Sequence, residues 1–368
     1  MIPASIFVLA ATGVTTQVDL WTMGPGEHPY ERFGHAALRV RAGDNDLLYN
    51  FGVADFDRPA FFVDFLRGRS TFWLGVEAPD DSLAFYRARD RSVYAQPLRI
   101  APDRLEWLAH RLRVTALPAN RNYAYHHFHD NCTTRIRDLI DEASGGKLAH
   151  LHFARTERTF RQATRDGLAG LPSLLFATEF LGRPMDRRPD RWERMFHPDA
   201  LREEVDRAGI VGSTETLHRR RGASPLGGNT TSGRLPIWIA AGILGVVLYL
   251  GAARGGITTR LTMGLAGITS GALAFPLGIL ALLSRQDEFR HNETLLAFWP
   301  IDLVLLAGPR PAVRAYVRMR AGVALLLVLL RADGLLGQDN APLLAVGVAL
   351  MAALDLGLRR MPAPETAK

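Results

Sequence analysis

The sequence predicts an α+β soluble domain followed by an all-α transmembrane domain of about five helices. Three observations carry that reading. Charged and aromatic residues crowd the first 234 positions, whereas 235–358 is dominated by runs of Leu, Ala, Gly and Val. Short β-like runs open the first part, and helical periodicity follows them. Five apolar stretches occupy the second part, and a membrane span needs about 20 mostly apolar residues. The boundaries follow: 1–16 as a signal or anchor segment, 17–221 as an exported domain, 222–234 as a Gly/Ser/Thr linker, 235–358 as the transmembrane domain and 359–368 as a cytosolic tail.

In the soluble part Val18–Thr22 reads as a strand, and Gly24-Pro25-Gly26 forces a turn after it. Phe33–Arg41 and Asp46–Val53 read as two strands joined by the turn Ala42-Gly43-Asp44-Asn45. Phe61–Leu66 fits a short helix or strand ahead of Gly68, and Ser92–Ile100 fits another strand. Pro102–Val114 is an amphipathic helix with Leu105, Leu108 and Leu112 on one face. Cys132–Ala143 is a second, with Ile136, Leu139 and Ile140 on one face and Asp130 or Asn131 placed to cap it. Residues 155–210 read as mixed and mostly helical.

The expected spans are Leu235–Ala253, Leu261–Leu283, Leu295–Pro309, Ala321–Leu330 and Ala341–Leu358. The third is short and carries Asp302. The fourth spans only if Arg318, Arg320 and Arg331 snorkel and the helix extends to about Leu336. Basic residues favour the cytosolic side. With the soluble domain outside, Arg254, Arg260, Arg310, Arg314, Arg318, Arg320, Arg359, Arg360 and Lys368 fall inside, against Arg285, Arg290 and Arg331 outside; nine against three favours export of the domain. Ile2–Val14 has the length of a signal-peptide apolar core but lacks a basic flank and a small-x-small cleavage site; the alternative is a buried first strand.

Cys132 is the only cysteine, which excludes an intramolecular disulfide and any Cys-rich zinc pattern. The net charge of +7 suits nucleic acid or an anionic membrane surface. The basic residues have a topological explanation and no nucleic-acid motif is present, so the membrane is the expected partner. Cys132 stands at the start of a helix, where the helix dipole and free N–H groups favour a thiolate and can receive an oxyanion. It is flanked by Asp130, Asn131, Thr133 and Thr134, and an unpaired thiol in an exported domain is unusual; inert core packing is the alternative. A thiol nucleophile needs a base. His35 follows Gly34 at the start of a strand, but alternation groups it with Ala37, Arg39 and Arg41, away from the apolar face of Ala36, Leu38 and Val40. His126, His127 and His129 lie nearer in sequence. With Asp130, His150 and His152 they admit a metal-cluster reading, against a polar loop beside the helix. No metal or other cofactor is expected.

The chain resembles the Lnb family of bacterial lipoprotein N-acyltransferases. The resemblance rests on Met23-Gly24-Pro25-Gly26-Glu27, Phe33-Gly34-His35-Ala36-Ala37-Leu38-Arg39-Val40, Tyr49-Asn50-Phe51-Gly52, Phe65-Leu66-Arg67-Gly68 and Arg91-Ser92-Val93-Tyr94. The strongest stretch is Asp130-Asn131-Cys132-Thr133-Thr134-Arg135-Ile136-Arg137-Asp138-Leu139-Ile140. Met195-Phe196-His197-Pro198 and the loop through His291, Asn292, Leu295, Leu296 and Pro300 also fit, so the match extends over most of 18–310. The resemblance implies a circularly permuted papain-like, NlpC-like exported domain in which the histidine strand precedes the cysteine helix, as in lecithin:retinol acyltransferase. It implies Cys132 as nucleophile and His35 as base. Asn50 is the candidate for the group that orients the histidine, with a turn-forming role as the alternative. Glu27, Asn131, His291 and Asn292 are candidates for shaping the site. Ala36 replaces an expected small hydroxyl residue, and His197 replaces an apolar one.

The function implied is transfer of an acyl chain, through a Cys132 thioester, to the N-terminal cysteine amine of bacterial lipoproteins. The donor is a phospholipid or the diacylglyceryl group, and the location is the inner membrane with the soluble domain in the periplasm. The rivals are a membrane-anchored cysteine hydrolase cutting peptide or amide bonds, and a non-enzymatic membrane assembly protein in which Cys132 only packs.

Overall fold

The computed structural model describes residues 15–149 and 155–361. The candidate signal stretch Ile2–Val14, together with His150, His152 and most of the C-terminal tail, lies outside the described residues. The chain divides into two compact units, Met1–Phe56, Thr71–Ala154 and Asp190–Ala223 in one, and Asp57–Ser70, Arg155–Pro189 and Ser224–Lys368 in the other. Sequence composition gives no hint that 57–70 and 155–189 group with the apolar C-terminal part.

Among its described residues the first unit is built on seven antiparallel strands: β1 (Gln17–Met23), β2 (His35–Ala42), β3 (Asn45–Val53), β4 (Thr71–Glu77), β5 (Val93–Pro97), β6 (Asn122–Ala124) and β7 (Glu215–His218), in the order β6-β4-β3-β2-β1-β5-β7. The β2–β3 hairpin closes at Ala42↔Asn45 around Gly43, whose φ of +60° suits a tight two-residue turn. β1 has a partner on each side, and Val18, Leu20, Trp21 and Met23 are buried along it. Helices Pro79–Ala88, Pro102–Thr115 and Pro198–Arg207 each begin with proline, whose missing N–H costs nothing in the first turn. His197, without an assigned role from sequence, caps the last of these by accepting the Asp199 N–H at 3.3 Å.

Helix Cys132–Ser144 starts where the sequence places it. Asn131 is the cap: its Oδ1 accepts the Thr133 and Thr134 N–H groups at 2.9 Å each, and the Asn131 N–H returns a bond to Thr134 Oγ1 at 2.8 Å. Ile136, Ile140 and Ala143 are buried, and Gly145, with φ of +77°, ends the helix.

Among the described residues of the second unit three helices are long and apolar enough to cross a membrane: Leu235–Ala253, Gly256–Leu283 and Ala341–Arg359. Two of the five expected spans differ. Leu295–Pro309 is no continuous helix. It forms one turn over Thr294–Ala297, an extended Phe298–Trp299 and a 3₁₀ stretch over Pro300–Ala307. Pro300 interrupts the α-pattern of hydrogen bonds, and Asp302 is drawn into an ion pair with Arg320, both oxygens at 2.9 Å from the guanidinium. The fourth candidate is the 22-residue helix Pro311–Ala332, but Arg314, Arg318, Arg320 and Arg331 lie within it. Arg320 is therefore a buried partner and not a loop charge, with Trp299 stacked at 4.0 Å and the Ala297 carbonyl accepting at 2.8 Å.

Candidate active site

β2 begins at His35 and the helix begins at Cys132, and the fold brings the two side chains close enough for the charge on each to stabilise the charge on the other. Gly34 precedes His35 with φ of +78°, and a Cβ there would stand 2.6 Å from the Met23 carbonyl oxygen, so only glycine lets the strand start at this point. Gly52 plays the matching part on β3. Its φ is +90°, and a Cβ there would meet Cys132 Cβ at 3.2 Å.

The strand alternation that turned His35 away from the core does not hold. Ala36, Ala37 and Leu38 are all buried, so both faces of β2 are covered and alternation no longer separates core from solvent. His35 then has a polar neighbour in Asn50, which is itself held by Glu77. Asn50 Oδ1 accepts from His35 Nε2–H at 3.2 Å, and Asn50 Nδ2 donates to Glu77 Oε1 at 2.9 Å. Asn50 is buried, and β3–β4 pairing supplies Glu77. His35, Asn50 and Cys132, all named from the sequence, come together here, and Glu77, which the sequence does not single out, joins them through long-range strand pairing.

The electrostatics favour an ion pair. Burial opposes ionisation of the Cys132 thiol, but the His35 charge and hydrogen bond, the Thr133 hydroxyl and the Ala36 backbone N–H outweigh it and bring its pKa from 9.0 down to about 7. Burial likewise opposes charging His35, and the Cys132 charge, the bond to Cys132 and the bond to Asn50 overcome it and raise its pKa. A half-buried thiolate beside an imidazolium at a helix N-terminus can attack a carbonyl carbon and return a proton to the leaving group.

The other candidates are placed as follows. Asn131 serves as the cap and also ties the helix start to its surroundings, donating from Nδ2 to the His127 carbonyl at 2.7 Å and the Phe196 carbonyl at 2.9 Å. Glu27 is exposed and pairs with Arg220 at 2.6 Å. His291 and Asn292 belong to the second unit, where His291 adopts a φ of +48°. Asn292 there donates to the Phe180 carbonyl at 2.8 Å and accepts from the Thr294 N–H and Gln338 Nε2 at 3.1 Å each, a buried structural network. In the histidine-rich loop, Asp130 is engaged by Arg135 Nε and Nη2 at 2.6 and 2.9 Å. Burial, with the nearby His126 and His197, holds His127 neutral with a pKa near 3. Among the described residues no three His, Cys, Asp or Glu side chains gather as metal ligands.

Fold and site together define a membrane-associated protein whose sheet domain presents a cysteine–histidine pair. Residues 11–165 match the family described as the Lnb N-terminal periplasmic domain, so this part of the chain is similar to that domain. That stretch contains β1 to β6, the Cys132 helix, and His35, Asn50 and Cys132. No curated protein and no solved structure matches the chain.

Proposed function

We propose that the protein is a lipoprotein N-acyltransferase of the inner membrane, spanning it more than once with its sheet domain in the periplasm. The observation that supports this best is the Cys132–His35 pair, with the thiol pKa lowered to about 7 and Asn50 orienting the imidazole. The Cys132 thiolate adds to the carbonyl carbon of an acyl ester, on a phospholipid or on the diacylglyceryl group of a lipoprotein. The tetrahedral intermediate collapses, the C–O bond breaks, and the His35 imidazolium protonates the leaving alcohol. The thioester on Cys132 then meets the α-amine of a lipoprotein N-terminal cysteine. The amine adds, His35 accepts its proton, and the C–S bond breaks to leave an amide and the regenerated thiolate.

Helices long enough for the bilayer suit this substrate class, because acyl donor and acceptor both reside there. A hydrolase would need only an anchor. The order of histidine strand before cysteine helix fits the permuted papain-like layout. The test uses the full chain in detergent micelles containing phosphatidylethanolamine and a synthetic diacylated lipopeptide with a free α-amine. Mass spectrometry of the lipopeptide should show one added acyl chain with the wild type and none with Cys132→Ala. An unmodified amine in both, with the peptide cleaved, would favour the hydrolase.

A further inference from the structure

Tyr123, on β6 and paired with Phe72 of β4, is the unexplained polar group beside Cys132. Its side chain is buried, and its hydroxyl is shut off from solvent with no hydrogen-bond partner. Leaving a buried hydroxyl unpaired is costly, so a fold that keeps one next to a nucleophile calls for an explanation. The ring is held firmly. The Arg135 guanidinium lies over it at 3.8 Å and is itself fixed by both oxygens of Asp130, while Phe51 meets the ring edge-on at 6.2 Å.

Gly52 shows where the hydroxyl sits relative to the nucleophile. The point a Gly52 Cβ would occupy lies 3.2 Å from Cys132 Cβ, 3.9 Å from the Tyr123 hydroxyl and 4.0 Å from the Cys132 backbone nitrogen. The missing side chain of Gly52 thus opens a small recess bordered by the nucleophilic residue, a backbone N–H and a phenol. The helix cap takes the N–H groups of Thr133 and Thr134 and leaves that of Cys132 outside its bonding. Burial first, and then the Cys132 negative charge, raise the Tyr123 pKa, so the phenol keeps its proton.

We propose that the Tyr123 hydroxyl, together with the Cys132 N–H, donates to the oxyanion formed when the Cys132 sulfur adds to an acyl carbonyl. The proposal rests on the acyltransferase reading and adds a catalytic residue to it. As the C–S bond forms, the carbonyl π electrons move to oxygen, and this oxygen takes up the two donors. On collapse the C=O bond reforms, the ester C–O bond breaks, and Tyr123 retains its proton throughout. A ground-state carbonyl, planar and weakly charged, gains less from the same donors.

Two probes separate this role from packing. p-Nitrophenyl butyrate acylates the thiolate through an oxyanion, and its leaving group needs no proton from His35. Iodoacetamide alkylates the same thiolate by displacement of iodide, with no oxyanion. In the full-length protein in detergent, Tyr123→Phe should slow the nitrophenolate burst about 10²–10³-fold, the range for loss of one oxyanion donor. Its rate of alkylation at pH 7 should stay within about twofold of wild type, the same thiolate population being available. A burst within about threefold of wild type would overturn the proposal. So would alkylation slowed in step with the burst, which would make Tyr123 a packing residue. If wild type itself gives no burst beyond that of Cys132→Ala, the acyltransferase reading falls and this proposal with it; a failure of Tyr123 alone leaves the wild-type burst intact.

Discussion

Replacing His35 with alanine tests the ion pair directly. In the wild type the Cys132 pKa is about 7, against an ordinary 9.0, and burial by itself would push it higher still. His35→Ala removes the positive charge and the hydrogen bond while leaving the burial, so the pKa of the variant lies above 9. At pH 7 the thiolate fraction falls from about one half to about 1% or less, roughly 50-fold. The more basic thiolate is also intrinsically more nucleophilic. With a Brønsted coefficient of about 0.4–0.5, two pKa units make each thiolate roughly six- to tenfold faster. The net expectation is alkylation about five- to eightfold slower at pH 7, and about six- to tenfold faster above pH 10. The assay is the rate of iodoacetamide labelling from pH 5 to 10.5, followed by intact-protein mass. The two profiles should cross. A variant slower at every pH, with its inflection still near 7, would mean that His35 governs access and not ionisation, and the reasoning would be refuted.

Asn50→Ala leaves the His35 Nε2–H and Glu77 without their present partner; loss of one such bond, about 1 kcal/mol, should move the inflection of the labelling profile up by about 0.7 pH unit, and an unmoved inflection would remove Asn50 from the site. Gly52→Ala forces φ of +90° on a residue with a Cβ and presses on Cys132; about 1–2 kcal/mol of backbone strain should appear in thermal unfolding together with loss of acyl transfer. Asn131→Ala removes the helix cap and the ties to the His127 and Phe196 carbonyls; the cap alone accounts for about 1–2 kcal/mol, measurable by denaturant titration. Arg320→Met strands the buried Asp302 carboxylate; about 3–5 kcal/mol of destabilisation is expected in detergent, and Arg320→Met with Asp302→Leu should recover most of it.

The parts of the fold that announce themselves locally were legible in the sequence. Asn131 ahead of Cys132 and the spacing of Ile136 and Ile140 specify a capped helix, and Gly43 specifies a hairpin. Three features escaped. β6 has three residues and β7 four, too few for a periodicity to register, and β4 carries Gly75 where a continuous apolar run would otherwise mark it. His35 was picked out through the family resemblance, which places the histidine strand before the cysteine helix, and not from alternation, because a strand covered on both faces loses its polar side. Glu77 and Tyr123 reach the site through the pairing of β4 with β3 and β6, information no local window contains. In the apolar part, hydropathy marked 295–309 as a segment, but Pro300 and the pairing of Asp302 with Arg320 decide that it does not become a span.

The proposed function requires that Cys132 carry an acyl chain to a lipoprotein amine. Its most direct test is mass spectrometry of a lipoprotein N-terminal peptide from bacterial cells lacking other N-acylating enzymes and expressing either the wild type or Cys132→Ala at equal, membrane-inserted levels. One acyl chain is expected on the α-amine with the wild type and a free amine with the variant, and tandem fragmentation then shows whether the glyceryl esters stay intact. A free amine with both proteins, or an acylated amine with both, would contradict it.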